Sequence, residues 1–116
     1  MNELIESILG NLCIDNVPIP VKFMHYDGHD EMYVVYMQQD MDGSLTADDE
    51  LQGYVAYYDF DVYAKGNYTE LVKRVKAILK ENGFVWQPSR SSMDMYEADT
   101  GYYHKTLNFA FLKEEN

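Results

Sequence analysis

The chain has one cysteine, three prolines and nine basic residues among 116. A lone Cys13 excludes any disulfide within the chain, and a reducing cytoplasm is the expected setting. Flanked by Leu12 and Ile14, it is expected to be a small buried hydrophobe and not a nucleophile. No apolar run approaches the roughly 18 residues needed to span a bilayer as a helix. The acidic start Met1-Asn2-Glu3-Leu4-Ile5-Glu6 lacks the basic opening of a secretion signal. Basic residues are outnumbered 20 to 9, for a net charge of −11. Gripping phosphates takes clustered Lys and Arg, so this scarcity argues against nucleic acid as a held ligand. It leaves DNA possible as a neighbour kept at a distance. No Gly-rich phosphate loop and no G-x-S-x-G elbow is present, and Ser91 and Ser92 stand in a polar segment without an obvious base.

Apolar residues make up 47% of the chain, too many for disorder, and the length suits one domain with its own core. Eleven tyrosines and five phenylalanines favour strands and surfaces that meet a partner. Leu4, Ile5, Ile8 and Leu9 predict a short helix over the first ten residues, with Asn2 and Gly10 at its ends. Pro18 and Pro20 bar helix and imply an extended entry into a strand at Val21–Tyr26, closed by the Asp27-Gly28 turn. Met32–Met37 predicts a second strand. The third is the clearest, with Tyr54, Ala56, Tyr58, Phe60, Val62 and Ala64 on one face and Val55, Tyr57, Asp59, Asp61 and Tyr63 on the other.

A second helix follows Asn67-Tyr68-Thr69-Glu70, which has the form of a capping box, and Gly83 marks its stop. Its stripe is Tyr68, Leu71, Val72, Val75, Ile78 and Leu79. Lys73, Arg74, Lys76 and Lys80 lie mainly off that stripe. Four basic against two acidic residues make the helix +2 and leave −13 for the rest of the chain. Phe84-Val85-Trp86 opens a fourth strand that Pro88 ends or bends. A fifth carries Tyr103, Leu107, Phe109 and Phe111 on one face. The predicted fold is α+β: a mostly antiparallel, twisted sheet of about five strands, in the order α-β-β-β-α-β-β, with both helices on one face.

Between Gln38 and Gln52 no apolar period is visible, and Asp40, Asp42, Asp48, Asp49 and Glu50 stand without a basic residue among them. The segment is expected to be a long mobile loop or an extended hairpin tip. Gln38, Asp40, Asp42, Gly43, Ser44, Thr46 and Asp49 follow the spacing of a calcium loop, but Gln replaces the first Asp, Asp replaces the final Glu, and the flanks predict strands. A solvated acidic segment is the stronger reading. His25 and His29 near Asp27, Asp30 and Glu31 lack the helix that would turn both imidazoles to one metal. Asp59 and Asp61 share a strand face, close enough to raise one carboxyl, yet a solvated or partner-facing pair is the commoner arrangement. Neither catalysis nor a cofactor is expected.

Taken together, several segments resemble the tail-completion (tail-terminator) proteins of siphophages and prophages of Gram-positive bacteria. They are the N-terminal helix, Ile19-Pro20-Val21 through Phe23 and His25-Tyr26 to Gly28, and Tyr33-Val34-Val35-Tyr36. The acidic stretch with Ala47-Asp48-Asp49, Tyr58-Asp59-Phe60-Asp61-Val62-Tyr63, Leu79-Lys80-Glu81-Asn82-Gly83-Phe84 and the final aromatic strand complete the set. The resemblance implies a structural protein that caps the tail tube as a ring, usually a hexamer on assembly and monomeric in isolation. It implies the tail-tube protein and a head-completion protein as partners, and DNA that passes through without being gripped. The place implied is the host cytoplasm during assembly and then the head–tail junction of the virion, with no membrane. It also implies that Asp40–Glu50 orders on assembly, and that these carboxylates, with Asp59 and Asp61, rim the lumen. The basic face of Lys73, Arg74, Lys76 and Lys80 would meet an acidic neighbour. Two other readings fit the composition: an acidic inhibitory binder of the DNA-mimic type, and another component of the head–tail connector.

Overall fold

The structure, a computed structural model, describes residues 2–47 and 50–114, with side chains except those of 40–52, 113 and 114. Alternation decides the centre of the fold. Along β5 (Glu50–Ala64), Ala56, Tyr58, Phe60, Val62 and Ala64 are buried, while Tyr57, Asp59, Asp61 and Tyr63 between them are half-buried. This is the period of two that a packed sheet face imposes. β5 pairs antiparallel with β4 (Met32–Ala47) on one side and with β8 (Tyr102–Glu114) on the other. Paired residues share a face, so Tyr36, Phe60 and Leu107 form one row of the core. Phe60 stacks on Tyr36 at 6.3 Å and meets Phe84 and Phe109 edge-on at 6.1 and 6.0 Å.

Both helices cover this face. Ile5 and Leu9 of α1 (Asn2–Leu9) and Leu71, Val75 and Leu79 of α2 (Thr69–Glu81) are fully buried in one cluster with Val34, Tyr36, Phe60 and Phe109. The α+β class, the mainly antiparallel sheet and the single helical layer are as the sequence predicts. The end of α2 shows why. Gly83 takes φ +90, its N–H donates to the Lys80 carbonyl, and the Phe84 N–H donates to the Leu79 carbonyl. This is a Schellman closure that delivers buried Phe84 into the core. The start of α2 departs from expectation. Asn67 Oδ1 accepts only from the Thr69 N–H at 2.9 Å, and Glu70 accepts from Arg74 instead of closing a capping box.

Strand number differs as well, with eight strands among the described residues where about five are expected. Cys13–Pro18 folds as a tiny hairpin, β1 (Cys13–Ile14) and β2 (Val17–Pro18), turned by Asp15 and Asn16 at φ 50 and 67. Asp and Asn tolerate the left-handed conformation that such a turn requires. β3 (Val21–Phe23) stops early at Met24, whose φ is 64, and lies parallel to β4. The expected fourth strand is one short piece, β6 (Val85–Trp86), ended before Pro88 as expected, and a second, unexpected piece, β7 (Met95–Glu97), follows the short 3-10 turn at Pro88–Arg90. Both pieces pair with β8, giving the sheet order β3-β4-β5-β8-β6 with β7 also on β8.

Of the two expectations for the acidic stretch, its described residues follow the hairpin: β4 runs to Ala47 and β5 begins at Glu50. β4 and β5 pair out to Ala47 and Glu50, with register shifts between Gln38 and Asp40 and between Asp42 and Leu45. From Gln38 to Thr46 the calcium-like spacing falls on a strand ladder, which cannot wrap an ion as a loop between helices does, and its last position, Asp49, lies outside the described residues. At about 3.3 Å per residue, the 16 residues of β4 span roughly 53 Å. That accounts for the longest dimension of the molecule, 52 Å.

Gly83→Ala tests the closure of α2. A Cβ there would meet only Phe111 at an ordinary 3.6 Å, so the cost is the left-handed backbone itself. Urea denaturation is expected to show a loss of about 1–2 kcal/mol.

Candidate functional site

Among the described residues no helix lies on the second face of the sheet, and this is where the polar chemistry gathers. Register builds it in rows. Tyr33, Tyr63 and His104 stand side by side on β4, β5 and β8. Their rings stack at 4.6 Å and 4.2 Å, with Tyr102 edge-on to Tyr33 at 5.3 Å. Burial pushes the Tyr33 and Tyr63 phenols up to about 12. In the next row Thr106 Oγ1 donates to Asp61 Oδ1 at 2.8 Å, and in the third Asn108 Nδ2 donates to Asp59 Oδ1 at 2.7 Å. Burial raises the Asp59 carboxyl above its usual range. The Asn108 hydrogen bond and the Arg90 charge oppose that rise, and Asp61 adds to it. Arg90, carried in by the 3-10 turn, lies 3.8 Å over the Tyr57 ring and donates to Gln39 Oε1 at 3.1 Å.

His104 lies between two carboxylates. Its Nδ1 is 3.6 Å from Glu97 Oε2 and its Nε2 is 3.9 Å from Asp61 Oδ1. The two nitrogens address different carboxylates, so the three groups do not converge on one point. Among the described residues no group of three or more His, Cys, Asp or Glu is arranged to hold a metal ion. His25 instead bonds to exposed Asp27 at 2.5 Å.

Ser91 and Ser92 have a structural task. Where β6 leaves β8 and β7 has not yet joined it, Ser91 Oγ accepts from the Asn108 N–H at 2.9 Å, and Ser92 Oγ accepts from the Thr106 N–H at 2.8 Å. Two hydroxyls thus stand in for a missing strand partner. The same gap leaves Asn108, which is fully buried, with its Oδ1 unpartnered.

The residues singled out in the sequence divide into three groups. Asp48 and Asp49 lie outside the described residues. So do the side chains of Asp40, Asp42 and Glu50, whose backbones belong to the arm. Asp59 and Asp61 share a face as expected, but each is tied to β8, and the Asp61 side chain is only 16% exposed. On α2, Arg74 is engaged by Glu70 at 3.1 Å and by the Cys13 carbonyl at 3.3 Å. Lys76 lies 4.1 Å over the Trp86 ring, its ammonium lowered by burial and then by the nearby Lys105 and Lys80 charges. Lys73, Lys76 and Lys80 make no ion pair among the described residues. Arg90, Asn108, Thr106 and Trp86 were not anticipated. The alternation His104, Thr106, Asn108 on the last strand was the signal for two of them.

With the geometry described, comparison adds no relative: no family model, no curated protein and no solved structure matches this chain. Among the described residues no helix is long and apolar enough to cross a membrane.

Two substitutions test this face. Ser91→Ala strips the Asn108 N–H of its acceptor, and a loss of about 1–3 kcal/mol in urea denaturation is expected. Asp59→Asn removes a carboxylate whose charged form burial disfavours. A raised folded pKa means that stability is fully present below the unfolded value and is lost as pH rises through the folded one. The variant is therefore expected to gain on the wild type at neutral pH, with the difference closing towards about pH 4. Unfolding midpoints compared at the two pH values check the sign.

Proposed function

We propose that this chain is a structural, non-catalytic component of phage tail assembly that caps the tail tube as a ring and joins it to the head connector. The observation that carries the reading is the arm. β4 and β5 continue as one hairpin to Ala47 and Glu50, and β8 accompanies β5 as far as Gly53. The sequence of the arm from Asp40 to Glu50 holds five acidic residues and no basic one. Long paired strands are a stiff way to hold such a segment away from a helical layer, and a ring is an arrangement in which repeated arms define a channel. Six arms with five acidic residues each would bring about 30 carboxylates to that channel, a field that keeps DNA phosphates off its wall. The acidic arm supplies the lumen carboxylates in this reading. Asp59 and Asp61 do not, because each is hydrogen-bonded within the subunit.

The test is assembly on its proposed target. Mixed with siphophage tail tubes from the same genome and imaged by electron microscopy, the protein is expected to form a ring at one tube end with the arm towards the axis. A ring with its arms on the outer circumference would end the lumen role. A protein that stays monomeric and ignores tubes, but binds a basic DNA-binding protein, would replace the whole reading with that of an acidic inhibitor.

A further inference from the structure

The chain between β3 and β4 has no strand or helix of its own, yet its last two residues are clamped. Tyr102 Oη donates to the Asp30 carbonyl at 2.8 Å, and the Lys65 N–H donates to the Glu31 carbonyl at 2.8 Å. The β1–β2 hairpin is clamped as well. Arg74 Nη1 donates to the Cys13 carbonyl at 3.3 Å, and the Ile19 N–H donates to the Leu12 carbonyl at 2.9 Å. Both segments are therefore fixed in advance of anything that meets them. Together with the start of β4 they form a cavity of about 370 Å³, lined by Ile14, Val17 and Met32 and by Asp15, Asp30 and Glu31.

The lining has two chemistries. Ile14 and Met32 are half-buried and Val17 is 60% exposed, so the apolar part is open to an occupant. The three acids are exposed, and no basic side chain lines the cavity with them. Asp30 accepts from the Tyr26 hydroxyl, but the carboxylates of Asp15 and Glu31 make no hydrogen bond or ion pair among the described residues. A bare metal ion does not suit this set, because among the described residues no three such groups are arranged to hold one. A fitting occupant brings an apolar stem for the wall and a positive head for the acids, and lysine and arginine side chains are built that way. Arginine is the better match, since its planar fork donates two bonds to one carboxylate.

We infer that this cavity is a docking site for a basic side chain, arginine above all, carried on an apolar segment of a protein partner. Exposed Val17 and Pro18 give the flanking apolar residues of such a segment a surface to cover. Charge chooses this occupant. Acidic residues outnumber basic ones 20 to 9 over the chain, so a cationic segment is drawn in and an anionic one is repelled. The site is independent of ring formation and goes beyond it.

An amide-resolved NMR titration of the full chain with a blocked Leu-Arg-Leu peptide tests this. Shifts are expected at Ile14, Val17 and Met32, with binding weakened by added salt. A Leu-citrulline-Leu peptide, of the same shape without the charge, is expected to bind at least about ten-fold more weakly. Asp15→Asn with Glu31→Gln is expected to lose the arginine peptide by the same factor and to keep its melting temperature, since both side chains are exposed. Equal binding of the two peptides, equal binding by the variant, or no shift at these residues with millimolar peptide would each overturn the site. Butylguanidinium binding as tightly as the peptide would assign the cavity to a free cation and overturn the protein partner. Concentration-dependent sedimentation of the wild type that the variant loses would assign it to a second copy and overturn the partner likewise. None of these readouts involves tail tubes, so failure here leaves the capping reading standing, and failure to cap tubes leaves this site standing.

Discussion

β5 is held in register from both sides, and that double constraint places almost every other group in the molecule. Its Phe60 must meet Tyr36 and Leu107, and two residues either way along it Tyr58 and Val62 are buried on the same face. A slip of one residue would turn that whole set to the other face and drive Asp59 and Asp61 under the helices. The opposite face enforces the same register by different chemistry. Asp59 finds Asn108, and Asp61 finds Thr106, only when β5 and β8 are aligned as they are. Hydrophobic burial on one side and hydrogen bonding on the other select one pairing, which is stronger specification than either alone.

What was legible in the sequence follows from which signals are local. The alternation of β5 and the stripe of α2 repeat over enough residues to identify themselves, and the Gly83 stop has a backbone reason that one residue carries. The β1–β2 hairpin has two residues per strand, too few for any period, and only Asp15-Asn16 hinted at its turn. The parallel placement of β3 depends on where the chain returns after Met24, which no local pattern encodes. The acidic arm lacked an apolar period because a ladder is made of backbone hydrogen bonds that every non-proline residue supplies. An acidic sequence is therefore no bar to a strand.

The same division runs through the candidate surfaces. That Asp59 and Asp61 share a face follows from spacing, but their partners come from a strand more than forty residues away. Four basic residues on α2 were visible as a set, yet the fold separates them. Arg74 binds Glu70 and the Cys13 carbonyl, while Lys76 moves onto Trp86. Helical spacing cannot announce a cation–π contact with a residue beyond the helix, and so the patch as folded differs from the patch as counted.

A sheet with helices on one face only must do something with the other. Here that face satisfies part of itself: tyrosines and His104 stack, Arg90 covers Tyr57 and the carboxylates are hydrogen-bonded, while His104 Nε2 and Asn108 Oδ1 stay buried without a partner. An interface there would have to displace bonds already made, and desolvating Asp59 further would add to a cost burial already imposes. The edges are in the opposite condition. Their backbone groups have no strand beyond them, their apolar side chains face water, and the two lysines beside one edge lack counter-ions among the described residues. Whatever covers those edges would meet open backbone groups and apolar side chains, where on the second face it would meet bonds already made.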